Sequence, residues 1–162
     1  MKKIPLTRGQ FALVDDCDYE RVMEYKWVFQ PHQNPRYTPY ARRRRNAENP
    51  HASMHRFILN ALEGMEVDHI DGNGLNNQRA NMRLCTHAQN NRNSQFNNKH
   101  GMKGVAFIPN RRAFKKWISK ITADGKMKTI GYYWTMKEAA VAYNEAAIKL
   151  HGDFARLNQI PE

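Results

Sequence analysis

A concentration of asparagine sets the tightest limit on how this chain can fold. Residues 68–98 contain nine of them: Asn73, Asn76, Asn77, Asn81, Asn90, Asn91, Asn93, Asn97 and Asn98. The Asn side chain competes for backbone hydrogen bonds and favours turns, so this segment cannot be one long helix or strand. It has to be short elements joined by loops. Val67-Asp68-His69-Ile70 reads as a strand, and Asp71-Gly72-Asn73-Gly74 as a tight loop that its glycines allow. Met82-Arg83-Leu84-Cys85 is a second short strand. Thr86-His87-Ala88-Gln89 fits a capping box, with Thr86 as N-cap, and predicts a helix carrying Asn90 and Asn93. The predicted order is strand, loop, strand, helix.

That order places chemistry as well as backbone. Asp68 and His69 are adjacent, and on a strand adjacent side chains face opposite ways. Asn81 follows His69 by 12 residues, and Asn90 follows Asn81 by nine. A carboxylate and an amide oxygen are hard donors, so Asp68 and Asn90 suit Mg²⁺, or Mn²⁺ in its place, completed by water and phosphate oxygens. A neutral His69 near pH 7 can take a proton from an attacking water. Phosphodiester hydrolysis is the chemistry that fits.

The charge agrees with such a substrate. Lys plus Arg number 26 against 15 Asp plus Glu, a net of +11, which draws the chain to polyanions. Residues 1–98 hold 14 basic and 10 acidic side chains, a net of +4, while residues 99–128 hold nine basic and one acidic, a net of +8. Residues 129–162 hold three basic and four acidic, a net of −1. A second basic focus is Arg42-Arg43-Arg44-Arg45, preceded by Arg36, Tyr37 and Tyr40. No apolar run reaches the roughly 20 residues that span a bilayer, and no signal-peptide core follows Met1–Pro5, so nucleic acid is preferred to membrane. Cys17 and Cys85 are isolated, which argues against a structural zinc or a disulfide framework and makes an intracellular compartment the default.

With these residues in view, the chain resembles the HNH nucleases. The resemblance rests on Asp68-His69-Ile70-Asp71-Gly72-Asn73, Asn77, Asn81-Met82-Arg83-Leu84 and Asn90. It is nearest to the phage intron-encoded homing nucleases with a ββα-metal core, and Ile4–Thr7 and Met54-His55-Arg56 resemble segments ahead of such cores. The resemblance implies Asp68 and Asn90 as metal ligands, His69 as general base, and Asn81 as a structural residue that holds the loop. Several neighbours stay open. His55 either points at the active site or phosphate, or simply packs or lies exposed. His87 belongs at the surface, and Cys85 in the core. Arg56 and Arg83 hold phosphate or pair with nearby acids.

Elsewhere in this part, Phe11–Val14 reads as a strand and residues 19–27 as a short helix with Val22, Met23 and Trp27 inward. Residues 37–44 and 52–59 read as paired extended segments around the polar link 46–51.

The C-terminal part reads differently. Residues 104–109, 117–122 and 128–134 are strand candidates, with Asp124-Gly125 as a hairpin turn. Thr135-Met136-Lys137-Glu138 is a capping box. The helix behind it carries Met136, Ala140, Tyr143, Ala147 and Leu150 on one stripe, with Tyr143 and Leu150 as core, and Gly152 stops it. Gly104-Val105, Trp117 to Ile121, Ile130 to Tyr133, Glu138 to Asn144, Ala147 to Gly152 and Ala155 to Asn158 resemble the Apetala/ethylene-response-factor domain. That resemblance implies a three-stranded sheet in the DNA major groove, braced by a helix. It nominates Arg111, Arg112, Lys115, Lys116, Trp117, Lys120 and Lys128 for contact, the lysines to phosphate and Arg111, Arg112 and Trp117 near bases; core is the other reading of Trp117.

The expected fold class is therefore α+β: a ββα-metal nuclease core with an N-terminal β-rich extension, then a three-stranded antiparallel sheet packed on one helix. Residues 1–98 form the expected nuclease domain, its core at about 54–96, and residues 99–162 the DNA-binding domain. The expected function is a sequence-guided DNA endonuclease of homing or phage type, using one divalent metal, nicking or cutting both strands. The partner is double-stranded DNA, without membrane or small-molecule cofactor, as monomer or homodimer; a phage-encoded chain would work in the cytoplasm of a bacterial host. The rival is a non-catalytic DNA-binding regulator on a degenerate nuclease fold, and RNA binding is a third class.

Overall fold

The chain begins with an antiparallel hairpin, β1 (Lys2–Pro5) and β2 (Phe11–Val14), in which Ile4 faces Ala12 across the ladder and both are buried. Helix α1 (Asp16–Met23) follows, with Asp16 and Asp18 in its first turn, where the helix dipole favours anions. It starts and ends earlier than residues 19–27. Val22 is buried as expected, but Met23 is exposed. Trp27 lies beyond the helix and donates its indole N–H to the Val22 carbonyl at 2.8 Å, which satisfies a group the helix end leaves open.

Strands β3 (Val28–Gln30) and β4 (Tyr40–Arg42) pair antiparallel. This corrects the expected pairing of residues 37–44 with 52–59. Among the described residues the two segments meet where Ser53 bridges Arg42 and the Arg43 N–H donates to the Ala52 carbonyl, and Met54–Leu59 is a helix, α2. Met54, His55 and Ile58 are its buried residues, a helical spacing that a short apolar run conceals. Asn60 ends it in the left-handed region at φ 47°.

Strands β5 (Glu66–His69) and β6 (Met82–Cys85) then pair antiparallel, with Asp68 opposite Arg83, and helix α3 (His87–Asn93) follows. Its capping box forms: Gln89 N–H donates to Thr86 Oγ1 at 3.3 Å and Thr86 N–H to Gln89 Oε1 at 2.8 Å. Ile4, Val14, Val22, Met54, Ile58 and Val67 belong to one buried core with Trp27 and Met82.

This computed structural model describes residues 1–34, 37–43, 52–94, 100–110 and 114–160. The chain divides into two compact units, Met1–Asn91 and Arg92–Glu162. Small antiparallel sheets and segregated helices make it α+β. Among the described residues no helix is long and apolar enough to cross a membrane.

The second unit is a three-stranded antiparallel sheet, β7 (Val105–Phe107), β8 (Trp117–Ala123) and β9 (Lys126–Tyr133), in that order. Asp124 and Gly125, at φ 53° and 71°, form the two-residue turn that matches strand twist. Helix α4 (Met136–His151) packs on the sheet and starts with a complete capping box at Thr135 and Glu138. Ala140, Tyr143 and Ala147 are buried, but Leu150 is 42% exposed, contrary to expectation. The stripe turns to His151 instead, whose Nε2 meets the Thr122 carbonyl at 2.9 Å. Gly104 sits at φ 71°, and a Cβ there would lie 2.2 Å from the Tyr143 ring, so only glycine admits the helix this closely.

Candidate active site

Asp68 and His69 leave β5 on opposite faces, and both are 4% exposed. The Asp68 carboxylate meets its cross-strand neighbour: Arg83 Nε and Nη2 both donate to Oδ2, at 2.8 and 2.6 Å. Of the two roles left open for Arg83, the structure shows the acid pair. Cys85 is buried at the far end of β6, where burial pushes its thiol up to about 11 and removes it as a nucleophile at neutral pH.

His69 faces a different set of groups. Its Nε2 lies 3.3 Å from Asn77 Oδ1, and an amide oxygen only accepts, so that nitrogen holds the proton and Nδ1 is the basic one. Burial lowers the His69 pKa, against the Asn77 bond and the nearby Asp71 and Asp68 charges, so the ring is neutral at pH 7. The His55 ring stands edge-on to it at 5.2 Å, and Tyr40 lies 5.0 Å from His55 and 6.0 Å from His69. His55 is thus beside the base, and buried. Its pKa falls to about 3 through burial, then repulsion from His69, Arg56 and Arg42.

A histidine held neutral in the fold, with an ordinary value near 6.5 when unfolded, binds fewer protons folded than unfolded at acid pH. Its contribution is complete above about pH 6.5 and is lost as pH falls toward the folded value, at roughly 1.4 kcal/mol per pH unit. Urea unfolding of the wild type at pH 5.5 should therefore give a stability lower than at pH 7.5 by about 1.4 kcal/mol from His55 alone. His55→Phe should remove that increment. A wild type equally stable at both pH values would contradict a buried neutral His55.

The loop 70–81 is held from within and from the N-terminal elements. Asn81 Oδ1 accepts from the Asp71 N–H at 3.1 Å, while its Nδ2 donates to Asp71 Oδ1 at 3.0 Å and to the Asn76 carbonyl at 2.8 Å. Leu13 bonds the loop on both sides, donating to the Leu75 carbonyl and accepting from the Asn77 N–H, each at 2.8 Å. Arg79 clamps Asp18 through Nε at 2.7 Å and Nη2 at 2.9 Å. Burial raises the Asp18 pKa, but Arg79 and Arg21 outweigh it and keep the group below the usual carboxylate range.

Asn90, on α3, donates Nδ2 to Glu66 Oε2 at 2.7 Å, and His87 Nδ1 meets Glu66 Oε1 at 2.7 Å. His87 is exposed, as expected. Glu66 shares a strand face with Asp68, two residues away. Glu66 and Asn77 were missed as functional residues. Glu66 offers no local signal beyond being two residues from Asp68, and Asn77 is one asparagine among nine until the fold turns it toward His69. Among the described residues no three His, Cys, Asp or Glu side chains converge as a metal cage. Asp68 and Asn90 carry the hard oxygen donors nominated from the sequence, and Asn90 turns its amide nitrogen, not its oxygen, toward Glu66.

The nominated basic residues separate. Arg42 is exposed on β4, and Arg44 and Arg45 lie outside the described residues. Arg43 is not on the surface: it is 8% exposed, its guanidinium 3.8 Å from the Tyr25 ring centroid and 4.5 Å from that of Phe57. That cation–π packing corrects its assignment to DNA. Arg56 also turns inward, to the carbonyls of Ala61 and Leu62 at 3.2 and 3.0 Å. In the second unit Lys115, Lys116 and Lys128 are exposed and Lys120 is half-buried. Arg111 and Arg112 lie outside the described residues. Trp117 is half-buried and packs against the core, with its ring 4.9 Å from His100 and 5.1 Å from Phe107, which accords with its core reading.

Two short antiparallel strands, an asparagine-pinned loop and a helix, bearing an acid–histidine pair, define the class of small nucleases to which the comparisons point. A family model described as HNH endonuclease matches residues 62–92. The chain is 32% identical over 160 residues to the uncharacterized HNH endonuclease L560 of Acanthamoeba polyphaga mimivirus, covering 94% of this chain and 77% of that protein. It is 33% identical over 96 residues to Protein 3.8 of Escherichia phage T7, covering 58% of this chain and 76% of that protein. No solved structure matches. The chain belongs to the HNH endonuclease family.

Proposed function

We propose that this chain is a metal-dependent DNA endonuclease in which His69 is the general base, Asp68 and Asn90 hold one divalent cation, and Asn81 keeps the intervening loop in shape. The observation that carries this reading is the state of His69: buried, neutral, and fixed by Asn77 in the form whose Nδ1 can accept a proton. Asp68 on the opposite strand face allows acid and base to approach one phosphodiester from two sides. A bound Mg²⁺ or Mn²⁺ would supply charge neutralisation at the phosphate and the leaving 3′ oxygen. His69 takes the proton from the attacking water. Asn81, through Asp71 and Asn76, keeps the loop from drawing His69 out of line.

The second unit is the proposed recognition module, in the manner of the Apetala/ethylene-response-factor domain. A helix-backed antiparallel sheet with exposed Lys115, Lys116 and Lys128 supports this, as does the +8 charge of residues 99–128. Arg111, Arg112 and Lys120 remain nominated by sequence. A phage or mobile-element setting, with homing as the role, accords with the viral relatives.

Supercoiled plasmid incubated with Mg²⁺ should be relaxed or linearised, and a chelator should stop it. Binding without cutting under the same conditions would instead identify a regulator on a nuclease fold.

A further inference from the structure

Glu66 is not among the residues expected to act, yet it is bound to the helix that carries Asn90. Pairwise pleating puts Glu66 and Asp68 on one face of β5, about 7 Å apart along the strand. His87 and Asn90 lie three apart on α3, on one helix face, and each takes one oxygen of the same carboxylate at 2.7 Å. We infer that Glu66 is a positioning residue that sets the Asn90 side chain for cation binding by accepting from its amide nitrogen and so turning the amide oxygen outward. This rests on the reading that Asp68 and Asn90 hold the metal.

The physical basis is the asymmetry of an amide. One end of the Asn90 group is a hard oxygen donor to a cation, and the other is an NH₂ that cannot ligate one. Rotation by half a turn about the last side-chain bond exchanges them. An ionised carboxylate is an acceptor only, so it selects the orientation with nitrogen toward Glu66. His87 fills the other oxygen and keeps the carboxylate from rotating.

The rival role for Glu66 is direct ligation, and a double-mutant cycle separates the two. Mn²⁺ affinity of the full chain is measured by electron paramagnetic resonance, with circular dichroism as the control for folding. Glu66→Ala should weaken Mn²⁺ binding by about 10- to 100-fold, the range for residues that orient a ligand. Glu66→Gln keeps an oxygen acceptor for Asn90 and should lose less, and it tests the idea even where Glu66→Ala folds poorly. In Asn90→Asp both ends of the side chain are oxygen, so orientation no longer matters. Adding Glu66→Ala to Asn90→Asp should then leave Mn²⁺ affinity unchanged or tighter, since a like charge is removed.

A loss of affinity from Glu66→Ala in both backgrounds would make Glu66 a ligand and overturn the positioning role. No loss in either would overturn it as well. Unchanged Mn²⁺ binding in Asp68→Ala would be a different failure, that of the metal site itself.

Discussion

His69→Ala should lower the Mg²⁺-dependent cleavage rate by about 10²- to 10⁴-fold, the contribution of a well-placed general base. Mn²⁺ affinity should stay within about twofold, because His69 leaves β5 on the face opposite Asp68. The loss should fall on kcat, since the imidazole acts on the attacking water and not on the DNA backbone. Asn77→Ala should follow it in part, since Asn77 fixes which nitrogen holds the proton. Because burial holds the His69 pKa below its ordinary value, the acid limb of the rate profile should have its midpoint below pH 6.5. Undiminished cutting by His69→Ala would remove the base from its assigned residue.

Asp68→Ala should abolish metal-dependent cutting and also cost folding stability. The reason is Arg83, which is 18% exposed and loses both of its bonds to Asp68 Oδ2. Breaking such a pair from one side costs about 3 kcal/mol, far more than the intact pair contributes. In a unit of this size that is a fall of roughly 15 °C in Tm. Adding Arg83→Met should restore much of the stability without restoring activity, because the buried guanidinium is replaced by an apolar side chain while the proposed ligand is still missing. If Asp68→Ala were as stable as the wild type, the Asp68–Arg83 pair would not be what holds this part of the fold. If it cut DNA normally, the metal ligand would lie elsewhere.

Local rules settled the elements whose signals are local. The capping boxes at Thr86 and Thr135, the Asp124-Gly125 turn and the alternation in β2 and β6 all depend on residues within four positions of one another. Asp68 and His69 stand out by adjacency on a strand, and Asn81 and Asn90 by fixed spacings of 12 and nine residues from His69 and Asn81. The extended reading of 37–44 holds at Tyr40–Arg42, whereas the strand expected at 52–59 is a helix for the complementary reason. A six-residue segment such as Met54–Leu59, with a polar pair inside it, satisfies strand and helix patterns alike, and only packing of Met54 and Ile58 into the core decides between them.

The sequence by itself determined that an acid and an imidazole share a strand, that an asparagine-rich loop returns the chain beside it, and that a capped helix follows. Tertiary structure alone decided what those groups meet. Arg43 belongs to a basic run in sequence, but three aromatic rings far along the chain draw its guanidinium inside. Arg79 finds Asp18 across 61 residues, and Asn77 reaches His69. Glu66 becomes a partner of Asn90 only when α3 lies over β5. The physical reason is common to all four. Charge and hydrogen-bonding capacity are written in each residue, but burial and partners are properties of the packed chain, and these set whether a side chain serves chemistry, structure or solvent.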